Sequence, residues 1–139
     1  MKVLTRIIAA GAGALLLLSA ELMQQPTPWK APPTADKLVN PLKGNAKATE
    51  EGKKTYTQFC AMCHGDKGKG DGVAAIALNP KPANYTLPKT QLQSDGVLFW
   101  KMTEGRPHMA SYKAPLTDTQ RWQLVNYLRT FKTIKKTIN

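Results

Sequence analysis

The run Cys60-Ala61-Met62-Cys63-His64 constrains this chain more than any other feature. It is a C-x-x-C-H motif, the pattern of covalent c-type haem attachment. Two thiols three positions apart can each add to one vinyl group of the same porphyrin, making two thioether bonds. The adjacent histidine then lies over the porphyrin face and can bind the iron. The chain has two cysteines in all, and both are in the motif.

Other uses of the same residues fit less well. A thioredoxin-like redox pair goes with a βαβ context, and no alternating strand-helix pattern is present. A structural zinc site takes four ligands. The chain offers two cysteines and two histidines, His64 and His108, and adjacent Cys63 and His64 do not sit comfortably on one zinc.

The amino terminus agrees with haem attachment, which for exported c-type proteins takes place outside the cytoplasm. Lys2 and Arg6 precede an apolar run from Ile7 to Leu18, and Leu18-Ser19-Ala20 offers a small-residue cleavage site. This is the layout of a signal peptide over residues 1–20. The run is shorter than the roughly 20 residues of a membrane-spanning helix, although an uncleaved anchor is the competing reading. Periplasmic localisation follows, with association at the cytoplasmic membrane as its variant.

The remaining length suits one small domain, which buries a modest core by itself. A covalently held porphyrin supplies missing interior, so the apoprotein is expected to fold poorly. Twenty Lys and Arg stand against nine Asp and Glu, a net charge of +11. Such a field favours acidic protein partners or an anionic membrane surface. Nucleic acid is a poor partner for an exported protein.

Residues 21–46 read as a proline-rich extension or linker, with Pro26, Pro28, Pro32, Pro33 and Pro41 opposing helix. Trp29, Leu38, Val39 and Leu42 give it some capacity to pack. The domain is expected over residues 47–133, followed by a basic tail at 134–139. Asn45 is a plausible N-cap. Tyr56, Phe59, Cys60 and Cys63 follow at helical spacing, so one helix is expected to carry the cysteines and to end at His64. Gly52, one turn before Tyr56, suggests a close helix contact. A glycine-rich loop follows, and Val73 to Leu78 is expected to make one or two helical turns before Asn79-Pro80-Lys81-Pro82 stops it. Ser94 or Asp95 caps a helix through Thr103 that exits at Gly105. The last helix opens on Thr117 with Gln120 three residues on, a capping box. No alternating strands are visible, and the domain reads as all-α.

The second face of the iron needs a ligand. Met109 lies in the irregular loop Arg106 to Tyr112 and can point inward. Met102 falls inside a predicted helix, where core packing accounts for it. His108 is the main rival to Met109. Methionine opposite histidine raises the reduction potential and suits electron transfer.

From about Ala48 to Phe131 the chain resembles the small single-haem class I cytochrome c family. The resemblance is carried by Cys60-x-x-Cys63-His64, the Gly52-x-x-x-Tyr56 pair, the Gly105 to Met109 loop, and Trp122 through Tyr127-Leu128. It implies three to five helices around one covalent haem, with His64 and Met109 as axial ligands to iron. It implies crossing first and last helices, with Gly52 and Tyr56 meeting Leu124 and Tyr127. It also implies that a proline carbonyl accepts the histidine ring N–H, and Pro80 and Pro82 both stand open for that role. Ala110 departs from the proline that commonly follows the family's methionine. The extension before Asn45 lies outside the minimal family domain and looks like the linkers joining such domains to respiratory complexes.

The expected function is electron carriage in a respiratory chain, not catalysis. The donor would be a quinol-oxidising complex or dehydrogenase, and the acceptor an oxidase or reductase. A membrane-tethered haem subunit of a terminal oxidase or quinol-oxidising complex is the alternative. A haem enzyme or gas sensor with an open sixth site is the third reading.

Overall fold

The computed structural model describes residues 28–132. The expected signal segment 1–20, linker residues 21–27 and the tail 134–139 lie outside the described residues. Five α-helices follow in order: α1 (Ala46–Phe59), α2 (Ala61–His64), α3 (Pro88–Gln91), α4 (Asp95–Glu104) and α5 (Asp118–Thr130). Two 3₁₀ turns, Pro33–Lys37 and Val73–Ala77, complete the set. Among the described residues there is no strand, and the only bridge is an isolated Arg106–Met109 pair. The domain is all-α.

The helix starts follow their capping chemistry. The Asn45 side chain accepts from the Ala48 N–H at 3.0 Å and opens α1. Ser94 Oγ accepts from the Val97 N–H at 3.1 Å and opens α4. Thr117 and Gln120 form both halves of a capping box on α5. Helix α3, which begins on Pro88, has no periodic apolar pattern to announce it.

One expectation fails at the centre of the molecule. The first helix does not continue through the cysteines. It ends at Phe59, Cys60 serves as its cap at φ −115° and ψ −35°, and α2 begins afresh at Ala61. Phe59, expected on the buried stripe, is 38% exposed and meets Tyr112 edge to face. Cys60 joins the two helices, since its N–H donates to the Tyr56 carbonyl of α1 at 2.8 Å and its own carbonyl accepts from the His64 N–H of α2 at 2.8 Å.

The packing of α1 on α5 organises the core. Gly52 is what lets the two backbones meet. A Cβ placed there would lie 2.5 Å from the Gln123 carbonyl carbon, with the carbonyl oxygen closer still. Tyr56 sits one turn later, almost wholly buried, with its ring 5.2 Å from that of Tyr127. Leu124 and Val125 have no exposed surface. Phe99 of α4 stacks on Trp122 of α5 at 4.0 Å, and Met102 is buried beside them as core.

The segment read as an extended linker is packed where it is described. Prolines forbid a helix interior but not burial. Ala35 is 1% exposed, and its carbonyl abuts Gly96 of α4, where a side chain would collide. Asn40 is the main anchor. Its amide donates to Asp95 at 3.0 Å and to Asn126 at 2.9 Å, while its oxygen accepts from the Leu42 N–H. Asn126 returns a bond to the Leu42 carbonyl at 2.6 Å. Arg129 closes the group on Asp95 and on the carbonyls of Gln91 and Gln93.

Candidate functional site

The turn from Cys60 to His64 presents two thiols and an imidazole from about one and a half helical turns of backbone. Its exit is fixed by Gly65 at φ +76°, and the Tyr56 hydroxyl donates to the Gly65 carbonyl at 2.6 Å. The chain therefore leaves α2 in a direction set by the α1–α5 core. Both cysteines are unpaired and half-buried. Burial pushes the Cys60 thiol up to about 12, with Cys63 adding to the shift.

His64 is 7% exposed. Its Nδ1 lies 3.0 Å from the Ala83 carbonyl. A carbonyl can only accept, so Nδ1 carries the proton and Nε2 carries the lone pair. Burial lowers the His64 pKa, opposed in part by the bond to Ala83, and the ring is held neutral. A neutral imidazole with one nitrogen anchored to a carbonyl is the form that ligates metals.

The acceptor corrects the sequence reading. Neither Pro80 nor Pro82 supplies it. Three contacts set the register of this segment. The Lys81 ammonium bonds the Ala75 carbonyl at 2.8 Å, the Pro82 carbonyl abuts Gly70, and the Tyr85 N–H donates to the Gly68 carbonyl at 2.7 Å. With Pro82 turned toward Gly70, the next carbonyl, that of Ala83, faces the imidazole.

Sequence reasoning also missed Tyr85. Its ring stacks on His64 with centroids 4.7 Å apart and planes 28° from parallel. Its hydroxyl stands 3.4 Å from Nε2. Burial raises its phenol well above the ordinary value. No motif marks it, because an aromatic between Asn84 and Thr86 carries no periodic signal.

The methionine loop is a defined turn. Pro107 and His108 occupy its corner, and His108 takes φ +71°, the arrangement of a type II turn. The Arg106 N–H donates to the Met109 carbonyl at 2.9 Å, and the Met109 N–H donates back at 2.7 Å. His108 is exposed at the tip, whereas Met109 is half-buried at the base. Beyond it, the Tyr112 N–H donates to the Met102 carbonyl and the Tyr112 hydroxyl to the Phe59 carbonyl, both at 3.0 Å. Burial raises the Tyr112 phenol, and the Cys60 and Cys63 thiols add to the rise. The loop is thus closed over the cysteine turn through Tyr112. Met102, by contrast, points into the α4–α5 core.

These residues fit a covalent haem. Two thiols at the required spacing, a neutral imidazole whose Nε2 lone pair faces only the weakly held Tyr85 hydroxyl, and an aromatic surround of Tyr56, Tyr85, Tyr112 and Phe131 form one neighbourhood. Among the described residues, no cluster of His, Cys, Asp and Glu offers a metal site of another kind.

Comparison with known proteins gives the same picture. The family model "Cytochrome c" matches residues 49–132. A solved structure from the Kuenenia stuttgartiensis reducing HAO-like protein complex matches with a TM-score of 0.52 and 33% sequence identity. The match covers 60% of this chain and 42% of that one, so this chain accounts for less than half of the neighbour's length. No curated protein gives a significant match.

Proposed function

The chain belongs to the cytochrome c family, and from that premise we propose that it is an exported single-haem carrier of one electron between respiratory redox proteins. The family binds haem c covalently, and Cys60 and Cys63 are the attachment points that its motif spacing specifies. Haem iron supplies the one-electron couple when bound. His64 and Met109 would hold the haem iron. The observation that carries this reading is the pairing of an anchored, neutral His64 with a methionine turn tied back to the cysteine segment through the Tyr112–Phe59 bond.

The chain's own residues then have separate tasks. Ala83 holds the imidazole orientation. The aromatic surround excludes water. The loop from Gly105 to Tyr112 holds the sulfur against exchange with outside ligands. Held by His64 and Met109, the iron would be closed to substrates, and the activity would be electron exchange with a docked partner. A donor such as a quinol-oxidising complex or dehydrogenase and an acceptor such as an oxidase or reductase fit the surplus of lysines, which favours fast, salt-sensitive encounters.

Visible spectroscopy of the holoprotein during redox titration tests the assignment. The oxidised protein is expected to show a methionine-sulfur charge-transfer band, and Met109→Ala to abolish it and lower the potential. An unchanged band and potential in Met109→Ala would refute the ligand assignment, and tight carbon monoxide binding by the wild type would move the protein to the open-site class.

A fixed subunit of a larger complex is the second reading. It is favoured by the neighbour, which comes from a protein complex, and by the packed extension ahead of α1. No helix among the described residues is long and apolar enough to cross a membrane. Mass determination of the mature protein from cells separates the two. A start at Glu21 supports export with cleavage, and an intact Ile7–Leu18 run supports a tether.

A further inference from the structure

The residues ahead of α1 run the length of α4 in the opposite direction. At the start of α4, Asp36 accepts from Ser94 Oγ at 2.7 Å, and Ala35 is pressed onto Gly96. At its far end, Trp29 sets its ring 6.5 Å from that of Trp100. Ten helical residues span about 15 Å, a distance that the stretch from Trp29 to Asp36 covers easily when extended.

Trp29 has two further neighbours. The Arg106 guanidinium carbon lies 4.7 Å from its ring centroid, and the Lys101 ammonium lies 5.5 Å from it. The two cations repel each other. Lys101 has its pKa lowered first by burial and then by the charge of Arg106. The negative face of the indole offsets the repulsion, and the Gln93 side-chain oxygen accepts from the Lys101 ammonium at 2.6 Å. Arg106 in turn is one half of the turn that carries Met109, bonded to it in both directions across the backbone.

The geometry points to residues 29–37 as a strap along α4, with Trp29 a positioning residue that holds the Met109 turn through Arg106. The strap couples the chain upstream of the domain to the loop over the iron. This inference rests on Met109 as the sixth ligand, and the test separates the two ideas.

The experiment uses the full holoprotein as wild type, Trp29→Ala, Trp29→Phe and Arg106→Gln. The first readout is amide hydrogen exchange by NMR at Arg106 and Met109, with Val125 and Leu128 of α5 as controls. Trp29→Ala and Arg106→Gln are expected to speed exchange at the turn about fivefold, the order set by losing a half-buried cation–π contact. The α5 amides are expected not to follow, and Trp29→Phe to restore most of the protection. The second readout is binding of free imidazole to the oxidised protein, expected to tighten several-fold in the same two variants. Arg106→Gln leaves the strap's own packing intact, so it answers the question if Trp29→Ala folds poorly. Unchanged exchange at Arg106 and Met109 overturns the proposal whatever the ligand. Faster exchange with unchanged imidazole binding overturns its second step. Met109→Ala then tells whether the ligand assignment has failed as well, since only a true ligand removes the sulfur band.

Discussion

Replacing Gly52 with alanine sets two physical effects against each other, and the structure says which one wins. On helix propensity alone, alanine in place of a mid-helix glycine gains about 1 kcal/mol. The new methyl, however, would stand 2.5 Å from the Gln123 carbonyl carbon, where ordinary contact begins at 3.4 Å. The obstacle is the backbone of α5 and not the end of a flexible side chain. Helices α1 and α5 must therefore separate by at least about 1 Å, a gap that forfeits a quarter to a half of each dispersion contact across it. Overpacking of this kind costs typically 1–3 kcal/mol, and a rigid backbone partner puts Gly52→Ala at the upper end. Subtracting the propensity gain leaves a net loss of about 2 kcal/mol. For a domain of this size that lowers Tm by roughly 10 °C. Thermal unfolding of the holoprotein followed by far-ultraviolet circular dichroism measures it. Lys53→Ala, exposed on the same helix, is the control and is expected to stay within about 0.5 kcal/mol of wild type. A Gly52→Ala protein as stable as wild type, or more stable, would show that α1 and α5 do not meet at Gly52.

Asn40→Ala leaves the buried Asn126 oxygen and the Leu42 N–H without their partner, and a loss of about 2 kcal/mol is expected in urea unfolding. Asp95 gives a pH signature. Burial acts to raise its pKa, but the bonds from Asn40 and Arg129 outweigh it, and the net shift is downward. The folded state then binds fewer protons than the unfolded one, so the stabilisation is complete above the ordinary carboxylate value. It is lost as pH falls from about 4 through the lower folded pKa. Asp95→Asn is expected to flatten that part of the stability–pH curve, and an unchanged acid limb would sink the idea. Cys60→Ala/Cys63→Ala, which removes both attachment points, is expected to unfold at lower urea and with a shallower transition than the holoprotein.

How much of this was legible in the sequence depends on which atoms carry the information. Side chains with a fixed spacing relative to the backbone announced themselves. Asn45 and Thr117 each cap the helix they were expected to cap, and Ser94 caps α4 where Ser94 or Asp95 was expected, because a cap is a local bond between neighbours in the chain. The glycine at 52, one turn before Tyr56, pointed to a close helix contact for a similar reason, since a helix repeats its faces every three to four residues, while the identity of α5 as the partner came from the family resemblance. The cysteine turn was legible in content but not in geometry. A periodic stripe from Tyr56 to Cys63 does not reveal that Cys60 caps one helix and that another begins after it.

Backbone acceptors were not legible at all. Every residue has a carbonyl, so nothing in the letters separates Ala83 from Pro80 or Pro82 as the partner of His64. That choice is made by three contacts from distant segments: Lys81 with Ala75, Pro82 with Gly70, and Tyr85 with Gly68. The same holds for the extension ahead of α1. Its prolines spoke correctly against helix, and so suggested a spacer. What decides its place is the missing side chain at Gly96, more than fifty residues downstream, together with the reach of Trp29 to Arg106. A segment with no periodicity of its own is located by the surface it finds. Here that surface is the helix leading into the methionine turn, and whatever pulls on the amino-terminal side of Trp29 pulls on that turn as well.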